Sequence, residues 1–335
     1  MPIVTHNNAP RLPGPVLVTG ATGFVGARLC AELLARGATV RALVRRPAAL
    51  APEPRLQLFA IGDLASTLID PQWMAGVDAV MHLAGFAHRF KGDPGTDAES
   101  IRRINVEATA MLARAAAQAG IRRFVYASSV KVNGEDSGAG SFSAGDTPQP
   151  RDEYGRSKLA AETVLRRIAA ESGMETVVVR PPLVYGPGVK ANFLRLLEAV
   201  DRGLPLPFAS LRNRRSLIHV GNLADALIAC ACRPAAAGKT YLVCDGEDVS
   251  TAELIRRIAA ALGRQARLFP FPVALLRLAG RAAGKLPQIE RLTGNLVLDG
   301  EPIRKELGWR PPFSMQQGLA ETAAWFRSRH DRHTS

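Results

Sequence analysis

Residues 15–37 have the sequence PVLVTGATGFVGARLCAELLARG, in which Gly20, Gly23 and Gly26 recur at every third position. The apolar run 15–19 is typical of a buried strand, and 27–36 has the pattern of a helix that ends at Gly37. Glycines at these positions let the chain turn tightly, approach a pyrophosphate closely and pack the helix on the strand. The segment therefore predicts a strand, a glycine turn and a helix whose N-terminus can hold a phosphate.

The same alternation of strand and helix continues along the chain. Further strands are predicted at 39–44, 55–61, 79–83, 123–127, 176–180, 216–220 and 240–243. Helices are predicted at 99–119, 154–172, 223–232, 251–262 and 318–329. Such a pattern predicts an α/β fold, a Rossmann-type doubly wound parallel sheet with helices on both faces.

A change in the composition of the connecting segments indicates the domain organisation. After Arg180 the connections become rich in proline and glycine, as in Pro181-Pro182 and 186–188. We expect a flexible tail at 1–14, a dinucleotide-binding Rossmann domain at 15–180 and a smaller, interleaved C-terminal substrate region at 181–335. Segments near 216–245 are expected to return to the Rossmann domain.

Composition narrows the class of protein. The 335 residues are 47% hydrophobic and 22% charged, values typical of globular chains. No apolar stretch is long enough to span a membrane, and the N-terminus has no apolar signal-peptide core. The four cysteines lack metal-ligand spacing, so we expect no metal, reduced thiols and a cytoplasmic location. The net charge of +13 is not accompanied by a nucleic-acid-binding motif. We therefore expect the partner to be an anionic metabolite and not a nucleic acid.

The second predicted strand ends at Val44-Arg45-Arg46. Chains that bind NAD usually place an acidic residue here, where it contacts the ribose hydroxyls. A guanidinium can instead pair with a 2′-phosphate. Arg45 therefore favours NADP(H), with NAD(H) as the alternative.

Tyr154 and Lys158 are four positions apart, which places the phenol and the ammonium on one face of the predicted helix. A nearby cation lowers the pKa of a tyrosine toward the range in which it exchanges protons. Ser128 and Ser129 follow the strand 123–127, at the edge of the sheet where catalytic groups gather. A serine hydroxyl there can bond the same substrate oxygen as the tyrosine.

Nine motifs between about residues 16 and 326 resemble one family. They are TGATGFVG (19–26), GDL (62–64), HLAG (82–85), INVEAT (104–109), YASSV (126–130), YGRSK (154–158), RPPLVYGPG (180–188), RRSLIHVGNLADA (214–226) and KELGW (305–309). The chain resembles the extended short-chain dehydrogenase/reductase superfamily, in its branch of NAD(P)-dependent sugar-nucleotide epimerases, dehydratases and reductases. The similarity is greatest to bacterial UDP-4-keto-6-deoxy-N-acetylhexosamine 4-reductases and UDP-glucose 4-epimerase-like proteins.

This resemblance implies a set of site residues. Ser129, Tyr154 and Lys158 form the catalytic triad. The cofactor contacts are Gly20, Thr22, Gly23, Phe24, Val25, Gly26, Arg45, Asp63, Leu64, Leu83, Ala84, Gly85, Asn105, Tyr154, Lys158, Pro181 and Val184. The substrate contacts are Ser128, Ser129, Asn192, Phe193 and Arg215, the last holding the diphosphate of a nucleoside-diphosphate sugar, expected to be UDP-linked. Two positions depart from the family pattern: Leu183 replaces a substrate-contacting asparagine, and Leu292 replaces a second phosphate-binding arginine, beside Arg291.

The reaction expected from the resemblance is hydride exchange at C4 of the sugar. Arg45 favours reduction of a UDP-4-keto-6-deoxy-hexosamine for surface polysaccharide synthesis, and a UDP-hexose 4-epimerase is the alternative. A non-catalytic dinucleotide-binding scaffold is a third interpretation, which the retained Tyr154 and Lys158 disfavour. Val130-Lys131 stands where a 4,6-dehydratase needs an Asp-Glu pair, so dehydration is disfavoured.

Two further expectations concern surfaces. Family resemblance implies a homodimer formed through the long helices 99–119 and 154–172. Residues 272–286 place Arg277, Arg281 and Lys285 at helical spacing opposite apolar residues. We expect the apolar face to pack on the substrate domain and the basic face to be solvated, in preference to a membrane contact.

Overall fold

A seven-stranded sheet lies at the centre of the computed structural model, which describes Leu12 and residues 14–46, 53–86 and 97–331. The strands are β1 (Val16–Thr19), β2 (Val40–Val44), β3 (Leu56–Ala60), β4 (Ala79–His82), β5 (Arg123–Ala127), β6 (Glu175–Arg180), β7 (Leu183–Tyr185), β8 (Arg215–His219), β9 (Thr240–Leu242) and β10 (Asp248–Val249). The large sheet has the order β3-β2-β1-β4-β5-β6-β9 and every pairing in it is parallel. This is the doubly wound order that the sequence predicts.

Twelve α-helices are described with the strands. They are α1 (Phe24–Ala35), α2 (Pro71–Met74), α3 (Ala98–Arg102), α4 (Ala108–Gln118), α5 (Glu153–Ser172), α6 (Ala191–Asp201), α7 (Val220–Cys232), α8 (Thr251–Leu262), α9 (Val273–Ala282), α10 (Leu286–Thr293), α11 (Glu301–Leu307) and α12 (Met315–Asp331). In the part of the chain that is described, no helix is long and apolar enough to cross a membrane.

The large sheet is covered on both faces. Val16 and Val18 of β1 point into a core shared with α1 and α7, whereas Leu17 points into a core shared with α4 and α5. This alternation follows from the two-residue period of a strand. All carboxyl ends of the parallel strands meet at one edge, and the chain reverses its winding direction between β1 and β4, so the sheet opens a crevice there. The predicted fold class is therefore confirmed.

The C-terminal region has a sheet and a core of its own. β7 pairs with β8, and β8 with β10, while α6, α8 and α12 pack around Leu197, Ile255 and Leu319. Within 216–245, α7 packs on α1 and β9 pairs with β6, whereas β8 belongs to the small sheet. The two regions are thus interleaved along the chain.

Two predicted helices differ in detail. The predicted helix 99–119 is α3 and α4 joined by a π-helical turn, Arg103–Glu107, and the predicted helix 272–286 is shortened to α9, which ends at Ala282. Gly284, with a φ of +65°, ends this helix before α10 begins at Leu286. Of the predicted tail 1–14, only Leu12 and Gly14 belong to the described residues.

Candidate active site

The glycine turn between β1 and α1 forms a cradle for a phosphate. Gly20 has φ +70°, and a Cβ on Gly26 would lie 2.1 Å from the Gly20 carbonyl oxygen, so neither position accepts a side chain. Gly23 is the N-cap of α1, and no side-chain hydrogen bond caps this helix. The amides of the first turn are therefore open to an anion, as a pyrophosphate requires. The other predicted contacts in this turn are Thr22, which is exposed, and Phe24 and Val25, which are half-buried.

The turn after β4, residues 83–85, lies beside the glycine turn. The Ala84 amide donates to Thr19 Oγ1 at 3.1 Å, and the same hydroxyl lies 2.6 Å from His82 Nδ1. His82 Nε2 lies 2.8 Å from Thr109 Oγ1, so both ring nitrogens have partners. Burial lowers the pKa of His82 to about 3. His82 is a neutral core residue that positions this turn.

Asn105 connects that turn to the helix carrying the tyrosine. It lies in the π-helical turn, is buried, and its Oδ1 accepts from the Phe86 amide at 2.6 Å. Its Nδ2 donates to Ser157 Oγ at 2.9 Å, and the Ser157 hydroxyl donates to the Tyr154 carbonyl at 2.8 Å. The extra residue of a π-helical turn redirects one side chain, which is typical of functional sites. Asn105 thus supports the site, and Gly85 leaves space beside its amide.

Lys158 is buried beneath the site. Its Nζ donates to the Ala127 carbonyl at 2.9 Å and lies 4.6 Å from the ring centroid of Tyr126. Burial lowers the pKa of Lys158 to about 8, although Glu162 opposes that shift. A Cβ on Gly85 would lie 3.3 Å from the ammonium, so the glycine keeps a path to it open. An ammonium at this position can reach a ribose hydroxyl and the tyrosine together.

Tyr154 stands at the first turn of α5 with the Lys158 ammonium 5.8 Å from its ring centroid. Burial raises the pKa of Tyr154 to about 12, and the hydrogen bond with Ser129 only partly offsets this. The sequence-based expectation of a lowered pKa is wrong for this structure, because desolvation of a phenolate outweighs the distant ammonium. Burial therefore favours the protonated phenol of Tyr154 over its phenolate.

Ser128 and Ser129 follow β5 but have different surroundings. Ser129 is half-buried, bonds Tyr154 and accepts the Lys131 amide at 3.3 Å. Ser128 is buried and its hydroxyl donates to Glu162 Oε1 at 2.5 Å. The prediction that Ser128 contacts substrate is therefore corrected: adjacent residues of an extended chain point in opposite directions, and this one points inward.

Glu162 is a supporting residue that motif comparison does not reveal. It is fully buried and receives two bonds from Arg180, 2.9 Å to Oε1 and 2.6 Å to Oε2. Arg180 also donates to Asn133 Oδ1 at 3.0 Å. This pair joins α5, β6 and the segment after β5, so it fixes Ser129 relative to Tyr154. The spacing of four between Lys158 and Glu162 is the sequence signal that places both on one helix face.

Four charged side chains form a rim beside Tyr154, here called the rim cluster: Lys131, Glu135, Asp152 and Arg291. Lys131 contacts Asp152, and its Nζ lies 3.1 Å from Glu135 Oε1. Arg291 Nε lies 3.0 Å from Glu135 Oε2. Although burial opposes it, Arg291 and Lys131 hold the pKa of Glu135 below its usual value. The cluster joins α10 to the N-cap of α5, and both of its carboxylates are neutralised.

A family model described as "NAD dependent epimerase/dehydratase family" matches residues 16–244. The chain belongs to this family. A curated relative named UDP-glucose 4-epimerase, from Vibrio cholerae, is 39% identical over 325 residues, 96% of this chain and 98% of its own. A 3-beta-hydroxysteroid dehydrogenase from Mycolicibacterium neoaurum is 30% identical over 95% of this chain and 93% of its own. The solved structure of MoeE5 with UDP-glucose and NAD has a TM-score of 0.76 at 29% identity, covering 95% of this chain and all of that one.

This membership confirms the resemblance found in the sequence, and the chain is an NAD-dependent enzyme of the epimerase/dehydratase family.

At the adenosine end of the predicted dinucleotide site, Arg45 follows β2 and is exposed. Asp63 follows β3 and pairs with Arg103 at 3.2 Å, while its Oδ1 accepts the Ala65 amide at 3.1 Å. Leu64 is half-buried beside it. The family pattern predicts that these three positions contact the adenosine of the dinucleotide.

At the nicotinamide end predicted from the epimerase/dehydratase pattern, Pro181 and Val184 follow β6. Pro181 is buried and its carbonyl accepts the Val130 amide at 3.0 Å. Val184 is half-buried on β7, opposite Ile218 of β8. Leu183, in the position of the family asparagine, is 42% exposed. It presents an exposed apolar side chain where the resemblance predicts an asparagine.

The predicted substrate residues Asn192, Phe193 and Arg215 differ in how far they are buried. Asn192 is exposed at the start of α6, and Arg215 is half-buried on β8. Phe193 is buried and stacks on Tyr185, with ring centroids 5.6 Å apart, which indicates a packing role in the second core. Arg215 Nη1 donates to the carbonyls of Arg291 and Gly294, at 2.5 and 3.2 Å.

Proposed function

We propose that this protein is a UDP-hexose 4-epimerase-type enzyme, which oxidises the C4 hydroxyl of a UDP-sugar and returns hydride to the opposite face. The observation that carries the proposal is Arg215, a half-buried cation beside the rim cluster, on the side of the small sheet. Burial lowers the pKa of Arg215, and the hydrogen bonds it donates go to neutral carbonyls. Among the described residues no carboxylate forms an ion pair with this guanidinium.

The charges of Asp136 and Glu135 offset only part of the desolvation of Arg215, and no carboxylate among the described residues pairs with it directly. Such a half-buried cation favours an anionic ligand, because removing a charge from water costs free energy that an opposite charge restores. A diphosphate supplies that opposite charge and a steroid does not. Arg215 thus supports a nucleoside-diphosphate sugar over the substrate named for the steroid dehydrogenase relative. The name of the Vibrio cholerae relative supports the same choice and the 4-epimerase reaction.

The side chains perform proton transfer and orientation. In the oxidation step hydride leaves C4 and the C4 hydroxyl proton passes to Tyr154, which enters this step as the phenolate; when hydride returns to the opposite face, the Tyr154 phenol gives the proton back to the C4 oxygen. Ser129 bonds the Tyr154 hydroxyl and can bond the same substrate oxygen. The Lys158 ammonium stabilises the phenolate. A bound nicotinamide dinucleotide supplies the hydride acceptor and donor, and the open N-terminus of α1 fits its pyrophosphate. General acid and base help of this kind accelerates reactions about 10² to 10⁴-fold.

The test is incubation of the purified enzyme with UDP-glucose, and separately with UDP-N-acetylglucosamine, followed by proton NMR of the anomeric signals. An epimerase produces the C4 epimer until equilibrium and consumes no added dinucleotide. Tyr154→Phe is the matched inactive control. Absence of any epimer from either substrate, in enzyme shown to hold NAD, would reject this proposal.

The second candidate is a 4-ketoreductase that uses NADPH on a UDP-4-keto-6-deoxy-hexosamine, for surface polysaccharide synthesis. Arg45 favours it, because an exposed guanidinium after β2 suits a 2′-phosphate. Stoichiometric oxidation of NADPH by the ketosugar, without epimerisation of UDP-hexoses, would support the reductase. Dehydration is disfavoured because Glu135 and Asp152, the carboxylates of the rim cluster, are held by Lys131 and Arg291.

We also propose that the enzyme is a cytoplasmic homodimer formed through α4 and α5. These helices pack together, and α5 leaves Thr163, Arg166 and Arg167 exposed in a row. The cysteine thiols fit a reducing compartment, since the structure records no disulfide among the described residues. Light scattering at micromolar concentration should give twice the chain mass, and a monomeric mass would contradict the dimer.

A further inference from the structure

The outer surface of α9 is unusually apolar for a solvent-facing helix. Leu275 is 49% exposed, Leu278 is 64% exposed, and Phe269 in the preceding segment is 40% exposed. Three of the seven large hydrophobic side chains that are exposed in the described part of the chain therefore lie within ten residues, 269–278. The expectation that the apolar face of this helix packs on the substrate domain is wrong for these leucines.

The helix has two apolar faces. Leu276 and Gly280 are buried, and Gly280 packs so closely that an added Cβ would lie 2.7 Å from Ile289 Cγ1. Leu275 and Leu278 lie on the other side, where Ala279 and Ala282 continue the stripe at helical spacing and are exposed. The inner face accounts for the attachment of α9 to the domain. Leu275 and Leu278 of the outer stripe remain largely exposed among the residues that the structure describes.

Basic residues accompany the outer stripe. Residues 264–289 contain five arginines and lysines and no aspartate or glutamate. Arg277 and Arg281 are exposed one helical turn apart, between the inner face and the outer stripe, and Lys285 is exposed just beyond the end of α9. Among the described residues, none of these three has an ion-pair partner. We call the outer leucines and these three basic residues the α9 face.

We propose that the α9 face docks on an anionic lipid bilayer, with α9 parallel to the surface. The leucine side chains enter the boundary between headgroups and acyl chains, while arginine and lysine stems extend their charges to the lipid phosphates. Contact with a second copy through this face would bring two identical sets of basic residues together. Nucleic acid would pair with the basic residues and leave the leucines without a role. An anionic bilayer satisfies both parts of the face.

The expected strength can be stated as a fold-change. Each basic residue close to an anionic surface strengthens binding about five-fold, so three together give about a hundred-fold. Burial of two leucines adds to this. Screening by salt should remove most of the charge contribution, because the Debye length falls to about 3 Å at 1 M.

The experiment is co-sedimentation of the full-length protein with sucrose-loaded vesicles of phosphatidylcholine containing one-third phosphatidylglycerol, compared with pure phosphatidylcholine. We expect binding to the anionic vesicles only, reversed by salt. Arg277→Gln/Arg281→Gln should weaken it about thirty-fold, and Leu275→Ser/Leu278→Ser should also weaken it strongly. Arg310→Gln/Arg327→Gln removes two exposed arginines outside the α9 face and outside the proposed dimer helices, and should bind as the wild type does.

The variants alter exposed side chains outside the active site, so thermal unfolding and enzymatic turnover should match the wild type and verify that each is folded. Failure of the wild type to sediment with anionic vesicles at low salt would overturn the proposal. So would full binding by Leu275→Ser/Leu278→Ser, a change of oligomeric mass in that variant, or binding to DNA with no binding to vesicles.

Discussion

Arg215→Met replaces a half-buried guanidinium by an apolar side chain of similar length. If Arg215 holds the diphosphate, the variant loses at least one charge-assisted hydrogen bond, worth about 1.5 to 3 kcal/mol. Binding of UDP should then weaken about ten- to 150-fold. Isothermal titration with UDP measures this without relying on catalysis, and the KM for the UDP-sugar should rise in parallel.

The neighbouring arginine provides a matched control. The Arg214 side chain, just before β8, is 63% exposed and pairs with Asp248 at 2.9 Å. A surface pair of this kind contributes about 0 to 1 kcal/mol, so Arg214→Met should bind UDP within about two-fold of the wild type. Equal weakening in both variants would show that general charge, rather than the position of Arg215, attracts the nucleotide. Unchanged binding in Arg215→Met would refute the diphosphate assignment itself.

Four further outcomes are expected. Tyr154→Phe should lower kcat about 10² to 10⁴-fold while cofactor affinity, measured by fluorescence titration, stays nearly constant, since only the transferable proton is removed. A variant that turns over at the wild-type rate would exclude Tyr154 from proton transfer. Arg45→Ala should weaken the binding of NADPH by about 1.5 to 3 kcal/mol and leave the binding of NADH almost unchanged, and Arg46→Ala is the adjacent control. Equal losses of affinity for both cofactors would show that Arg45 is a plain surface residue. Burial lowers the Lys158 pKa from 10.5 to about 8, so between these pH values the unfolded chain binds more protons than the folded one. The wild type should therefore gain stability relative to Lys158→Met as pH rises from 8 to 10.5, by up to about 3 kcal/mol in urea titrations. A stability difference that does not change with pH would contradict the burial of Lys158. Glu162→Leu should destabilise the fold by about 3 to 5 kcal/mol, and adding Arg180→Leu should recover much of that loss, which a purely steric defect would not allow.

The order of the elements could be predicted from the sequence because it depends on local patterns. Short apolar runs, the glycine spacing at Gly20, Gly23 and Gly26, and the helices between strands each depend on neighbouring residues. A parallel sheet with helices on both faces then follows, since parallel strands need crossover helices. The spacing of Tyr154 and Lys158 likewise places them on one face of α5 before any contact is known.

Electrostatic surroundings could not be predicted in this way. The sequence brings Lys158 near Tyr154 and predicts a lowered tyrosine pKa, but the extent of burial decides the sign and is set by elements distant in the chain. Ser128 and Ser129 are chemically identical, and only the position of Glu162 on α5 shows which of them is internal. The rim cluster similarly joins Arg291 to Glu135 across 156 positions of sequence.

The sequence by itself determined the fold class and the family, and it predicted the reactive side chains, because strand, turn and helix signals and the spacing along one helix are local properties of the chain. Tertiary structure alone decided which polar groups are buried and which apolar groups are exposed. Leu276 and Leu278 are both leucines of one helix, yet the first is 8% exposed and the second 64%, since only the first meets the inner face of its domain. Desolvation depends on every atom that surrounds a group, and those atoms come from segments whose proximity exists only after folding.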